Sequence, residues 1–335
     1  MMKSFWQWKP ARYFLAGGGL VAISALGLIF LLPSRTLVYS ADFGLPGQGG
    51  GGEEVDVSSY LFKRSDKSIP LSAGAYLVTD LESNEVVVNK NDKKILPIAS
   101  ITKLMTALVA QDLLPLDQVV TISQTAYNTY GNTGHLRVGE KLSVKNLFYP
   151  LLLSSSNDAA EALAEAAGRE KFIAEMNRRA RQIGLTDTFF DDASGLSPIN
   201  ISTAADLAKL AGYLYHSRPE ILALTREKEH RLGKHVWVNV NNISLMPNYI
   251  GGKNGYTEEA NRTLVSIFQV PIENSSAVST TLSEKKSRLL ALVLLQSNDR
   301  KKDTSGLLNY LMRYTSYLGG KNGFVPMAPN PVLLN

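Results

Sequence analysis

Cysteine is absent from the 335 residues. That excludes a disulfide framework, a thiolate zinc site, an iron–sulfur cluster and a cysteine nucleophile. Histidine is scarce as well. His135, His216, His230 and His235 are the only four, and no His-Glu-x-x-His pair occurs, so neither a metal site nor a cofactor is expected. Acidic residues are missing from the first 41 positions, where Lys3, Lys9, Arg12 and Arg35 supply the only charge. The formal net charge of +5 belongs mainly to that end, because removing those four leaves 31 basic against 30 acidic residues. A nearly neutral body argues against a domain-wide basic footprint, and no nucleic-acid partner is expected. An apolar content of 44% with 19% charged residues excludes a mainly disordered chain.

The basic end carries an apolar segment. Residues 13–34 form 22 consecutive uncharged positions, mostly apolar. As a helix rising 1.5 Å per residue, that run is long enough to cross a hydrocarbon core of roughly 30 Å. A cleaved signal peptide is the alternative, with Val38-Tyr39-Ser40-Ala41 as a cleavage site, but signal cores run only about 7–15 residues. The basic flank places residues 1–12 in the cytoplasm, residues 13–34 as a transmembrane anchor, and everything later outside the membrane. The expectation is a single-pass cell-membrane protein with an extracytoplasmic domain. Residues 35–67 contain the glycine run Gly49-Gly50-Gly51-Gly52 and read as a flexible linker. Residues 68–320 show no second linker or repeat and read as one domain, followed by a short tail at 321–335.

Within that domain, residues 75–81 and 85–90 read as a hairpin turning at Glu82-Ser83-Asn84. Helices are expected over 98–112, 144–153, 159–167, 171–183 and 203–215, the last capped by Ser202. Strands at 263–270 and 289–296 precede a helix over 305–318. Strands, a block of helices, strands and a final helix describe an α+β fold. The expected architecture is an antiparallel sheet flanked by helices, with a helical subdomain inserted in sequence.

Three short motifs carry the chemistry. Ser100-Ile101-Thr102-Lys103 opens an apolar helix, and positions i and i+3 share a helical face. A lysine buried beside apolar groups loses proton affinity and can serve as the base that a serine hydroxyl needs. Ser283-Glu284-Lys285-Lys286 has the same spacing but lies in a charged turn. The second motif is Ser155-Ser156-Asn157, which could simply cap the helix that follows, or could supply a proton-relaying hydroxyl and an orienting amide. The third is Lys253-Asn254-Gly255, a cation beside a residue that permits close backbone approach. A second copy at Gly319-Gly320-Lys321-Asn322-Gly323 runs into a proline-rich tail and resembles a helix C-cap.

Ser-x-x-Lys, Ser-x-Asn and Lys-x-Gly in this order match the active-site-serine penicillin-recognising enzymes. The surroundings PIASITKLMTALVA, FDDASGLSPINISTAADLAKLAGYL and GGKNGYTEEANRTLV resemble the D-alanyl-D-alanine carboxypeptidase family, over residues 71 to 318. The resemblance implies a β-lactamase/transpeptidase-like fold and a serine-type peptidase acting on peptidoglycan stem peptides, with β-lactams as covalent inhibitors. By the same resemblance Ser100 is the acylated nucleophile and Lys103 its base. Ser155 relays a proton and Asn157 orients Lys103. Lys253, Asn254, Gly255, Tyr256 and Thr257 bind substrate, and the N–H groups of Ser100 and Tyr256 form an oxyanion hole. The family usually has Thr where Asn254 stands, which turns attention to selectivity, including cleavage of cross-links by a D,D-endopeptidase. Many members also carry a C-terminal β-rich domain; residues 319–335 are too short for one, so anchoring is expected from residues 13–34. Two other readings compete. A secreted β-lactamase would need a Glu-x-x-x-Asn deacylating motif that is not evident between Ser155 and Lys253. A catalytically weak wall-binding or sensing protein would keep the pocket without turnover.

Overall fold

The computed structural model describes residues 61–63, 69–131, 133–272 and 286–317. The apolar segment at 13–34, most of the linker, the motif decoys at 283 and 319, and the tail lie outside these residues. Among the described residues no helix is long and apolar enough to cross a membrane.

The centre is a five-stranded sheet. Its strands are β1 (Ala75–Asp80), β2 (Val86–Lys90), β3 (Tyr249–Thr257), β4 (Asn261–Ile272) and β5 (Lys286–Ser297). They lie side by side in the order β3-β4-β5-β1-β2, every pair antiparallel. The alternation of a strand explains how this sheet serves two cores. On β5, Ala291, Val293 and Leu295 face one core while Leu290, Leu292 and Leu294 face the other. The first core receives helices α1 (Thr102–Leu113), α3 (Asn157–Ala166), α4 (Arg169–Ile183) and α5 (Ala204–Ser217), together with α2 (Val144–Leu152). The second is closed by Leu307, Tyr310 and Leu311 of α6 (Arg300–Tyr314). The helical block thus falls in sequence between the β1–β2 hairpin and the other three strands, as the expected α+β architecture requires.

Several boundaries differ from expectation for identifiable reasons. Asp80 Oδ1 accepts from the N–H groups of Glu82 and Ser83, which ends β1 one residue early and shapes the turn. Helix α5 is capped by Thr203, whose hydroxyl accepts from Asp206 N, and not by Ser202. Ser202 instead belongs to a two-residue strand paired with Leu96. The final helix begins at Arg300 under an Asp299 cap, earlier than 305, and ends at Tyr314. Leu61–Lys63, inside the stretch read as linker, pairs with Thr315–Tyr317. The largest omission is β3, whose sequence YIGGKNGYT is too glycine-rich to read as a strand. A Cβ on Gly252, at φ +147°, would come within 2.1 Å of Val265 O, so glycine is what lets β3 lie against β4 there.

Candidate active site

Ser100 sits in a 3-10 turn, Ala99–Ile101, that leads directly into α1. Ala99 has φ +50°, an uncommon conformation for a residue with a side chain, and it sets the turn on which the serine is presented. One turn into α1, Lys103 is fully buried. Its Nζ lies 2.9 Å from Ser100 Oγ. It also donates to Asn157 Oδ1 and to the Ser194 carbonyl, both at 2.6 Å. Burial, the dominant cause, pushes the Lys103 ammonium down to about 7, against the opposing pull of Asp192 and Asp158. A neutral amine has two hydrogens and one lone pair. Amide and carbonyl oxygens can only accept, so they take both hydrogens, and the lone pair is left facing the Ser100 hydroxyl.

The polar knot after α2 divides its duties. Ser156 caps α3 by accepting from Ala159 N at 2.9 Å. That frees Asn157, which bridges Lys103 to the Tyr130 carbonyl through its Nδ2 at 2.7 Å. It also frees Ser155, held at φ +58°, whose Oγ accepts from Lys253 Nζ at 2.9 Å. The motif therefore divides: Ser156 caps α3, while Ser155 and Asn157 hold their polar groups against Lys253 and Lys103.

Lys253 lies fully buried on β3 and also donates to the Asn254 carbonyl at 2.8 Å. Burial, then the neighbouring Lys103 and Arg300, hold its ammonium well below the usual lysine range. The Asn254 Oδ1 lies 3.3 Å from the same Nζ, so the amide takes the place beside the cation. Gly255 passes so close to Ser100 that a Cβ would reach within 2.8 Å of Ser100 N and 2.6 Å of Thr263 Oγ1. This puts the edge of β3 alongside the Ser100 backbone, where an oxyanion hole would need it. Tyr256 is 59% exposed at the rim, with the Arg262 guanidinium 5.5 Å from its ring centre. Thr257 is placed differently from the others: its hydroxyl accepts from Ala260 N and holds the β3–β4 turn.

Sequence reasoning missed the support for this arrangement. Asp192 accepts from the N–H groups of Ser194, Gly195 and Ser197 at 2.6–2.7 Å. Burial alone would raise its carboxyl, but those N–H groups and the Ser194 hydroxyl outweigh it and hold the group below the usual carboxylate range. The folded loop aims the Ser194 carbonyl at Lys103 and presses Gly195, at φ +85°, against the Ala99 carbonyl. Arg300, also unforeseen, donates to the Gly255 carbonyl at 3.1 Å and braces β3 from behind. Among the described residues, no three histidine, aspartate or glutamate side chains converge as a metal-binding group.

Asp192→Asn is expected to slow acylation of Ser100 by roughly 10–100-fold and to destabilise the fold by about 1–3 kcal/mol, since one amide oxygen cannot replace both carboxylate oxygens. Loss of the negative charge also lowers Lys103 further, so the acid limb of the rate moves to lower pH. Stopped-flow labelling across pH together with urea denaturation measures both. An unchanged limb and rate would show that the loop does not position the base.

Comparison with known proteins identifies a family. Residues 63–285 match the D-alanyl-D-alanine carboxypeptidase peptidase family S11. A D-alanyl-D-alanine endopeptidase of Pseudomonas aeruginosa is 37% identical over 58% of this chain and 66% of its own length. The D-alanyl-D-alanine carboxypeptidase DacC of Escherichia coli K12 is 32% identical over 72% of this chain and 61% of its own. The chain thus spans less than two thirds of the length of these curated relatives. Among solved structures, penicillin-binding protein D2 of Listeria monocytogenes in its cefotaxime-bound form superposes with a TM-score of 0.64 at 26% identity, covering 74% of this chain and all of that one.

Proposed function

The chain belongs to the D-alanyl-D-alanine carboxypeptidase family, and from that membership we propose that it is a serine-type D-Ala–D-Ala carboxypeptidase acting on peptidoglycan stem peptides. The observation that carries the reading is the buried Lys103, within 2.9 Å of the Ser100 hydroxyl and with a proton affinity lowered to about 7. Ser100 Oγ attacks the carbonyl carbon of the penultimate D-Ala while its proton passes to Lys103 Nζ. The tetrahedral oxyanion is held by backbone N–H groups of Ser100 and Tyr256. The proton then reaches the amine of the departing D-Ala through Ser155, whose hydroxyl is held by Lys253. Water, deprotonated by Lys103, finally cleaves the Ser100 ester. The guanidinium groups of Arg300, donating to the Gly255 carbonyl, and Arg262, over the Tyr256 ring, suit the terminal carboxylate of the substrate. β-Lactams would acylate the same hydroxyl. The segment at 13–34 would anchor the chain with this domain outside the cell membrane; release of the full chain from membranes by alkaline carbonate would overturn that placement.

One specific observation favours cross-link cleavage as a second reading. Asn254 occupies the position beside Lys253 where the family usually carries Thr, and a 37% identical relative is named an endopeptidase. Mass spectrometry of muropeptides incubated with the protein tests both readings. Loss of D-Ala from pentapeptides supports the first, and conversion of cross-linked dimers to monomers supports the second. Asn254→Thr is expected to shift the ratio of the two activities by about threefold to tenfold, the scale of one altered hydrogen bond. An unchanged ratio would show that Asn254 does not set selectivity.

A further inference from the structure

A cleft of about 530 Å³ lies between the segment from His135 to Asn146 and the tip of the hairpin Glu229–Leu232/His235–Val238. That volume is typical of a site for a small ligand or peptide segment. Its charge is lopsided. Arg137, Lys141 and Lys234 face it, and none of the three has a carboxylate partner among the described residues. Glu140, the one acidic residue of the wall, is already occupied. Its Oε1 lies 2.5 Å from His235 Nε2 and its Oε2 accepts from Arg137 N. Ser143 and Asn146, at the start of α2, add the positive end of that helix to the same wall. In a domain with almost balanced charge, three cations (Arg137, Lys141, Lys234) against the single carboxylate of Glu140 leave this cleft a net formal charge of +2, which favours an anion.

The cleft is mechanically continuous with the active site. The His235 ring stacks on Trp237 at 4.9 Å, and Trp237 Nε1 donates to the Gly134 carbonyl at 2.8 Å. Gly134 presses on the knot so tightly that a Cβ there would come within 2.5 Å of Ser156 Oγ. Tyr130, whose carbonyl accepts from Asn157, is five positions from His135, a separation of at most roughly 18 Å. One extended stem peptide of four or five residues spans a similar length.

We propose that this cleft binds the carboxylates of a second stem peptide, so that the protein engages two strands of the wall at once. The inference rests on the peptidase reading above and adds a recognition element to it. The decisive comparison sets a cross-linked dimer, which carries two stems, against a single pentapeptide. The Arg137→Glu/Lys234→Glu double variant is expected to lose about tenfold in kcat/KM on the dimer and to stay within about twofold on the pentapeptide, which also reports that it folds. The milder Arg137→Gln/Lys234→Gln variant should fall between, and the dimer rate of the wild type should drop with added salt. A stem tetrapeptide, which lacks the scissile bond, should bind the full-length Ser100→Ala protein about tenfold more tightly than the same protein with both charge reversals. Equal losses on dimer and pentapeptide, an unaffected dimer, or inorganic phosphate binding as tightly as the tetrapeptide would each overturn the proposal. Charge-dependent tetrapeptide binding in a wild-type protein that cleaves neither substrate would sink the peptidase reading and leave the cleft standing.

Discussion

Ser100→Ala is expected to remove turnover of D-Ala–D-Ala peptides almost completely, a loss on the order of 10⁶-fold in kcat. Nothing else within reach can take over. The hydroxyl of Ser155 is engaged by Lys253, and that of Ser156 caps α3. Ser100 is half-buried and Lys103 is hydrogen-bonded to Asn157 and Ser194 as well, so deleting one oxygen leaves the lysine held. The variant should therefore fold with wild-type stability, retain peptide binding, and take no covalent label from a fluorescent penicillin. Steady-state kinetics and gel labelling read both. Activity above about one percent of wild type would exclude Ser100 as the nucleophile.

Lys103→Met should lower the acylation rate by about 10²–10⁴-fold, the usual contribution of a positioned general base. Methionine has a similar reach and suits a fully buried site, but it leaves Asn157 Oδ1 and the Ser194 carbonyl without a donor. Each such loss costs about 1–3 kcal/mol, so stability must be measured alongside rate. The pH profile separates the two effects. Only the neutral amine accepts the serine proton, and Lys103 titrates at about 7. Acylation by the wild type should fall roughly tenfold per pH unit below about 7 and level off above it, a limb that Lys103→Met should lack. A wild-type rate that is flat between pH 5 and 8 would show that Lys103 is not the base.

The grouping of the candidate site was legible in the sequence wherever its residues are close in the chain. Ser100 and Lys103 share a helical face, and Ser155 to Asn157 form one polar interruption between two apolar helices. What closes the site was not legible, because it depends on long-range packing. The Asp192 loop comes to Lys103 from some ninety residues away and has no periodicity; its geometry lies in hydrogen bonds that one carboxylate accepts from the N–H groups of Ser194, Gly195 and Ser197. Strand β3 escaped notice because its glycines, unfavourable in a strand by themselves, are required by contact with β4 and Ser100. The hairpin tip at Gly233 is marked by one glycine between two strands of only four residues each, so neither it nor the basic cleft beside it could be foreseen. The Asn254 substitution, by contrast, was visible in the sequence, and its amide lies beside the Lys253 ammonium.

The central claim is that Ser100, activated by a neutral Lys103, is acylated by a D-Ala–D-Ala peptide. Its most direct test is acid-quenched intact-mass spectrometry with peptide mapping, made in the first turnovers on a stem pentapeptide at pH 8 and pH 5. The account predicts an adduct on Ser100 equal to the pentapeptide minus D-Ala, formed with release of one D-Ala, far more slowly at pH 5 and not at all in Ser100→Ala. An adduct on another residue, or D-Ala release that continues in Ser100→Ala, would contradict it.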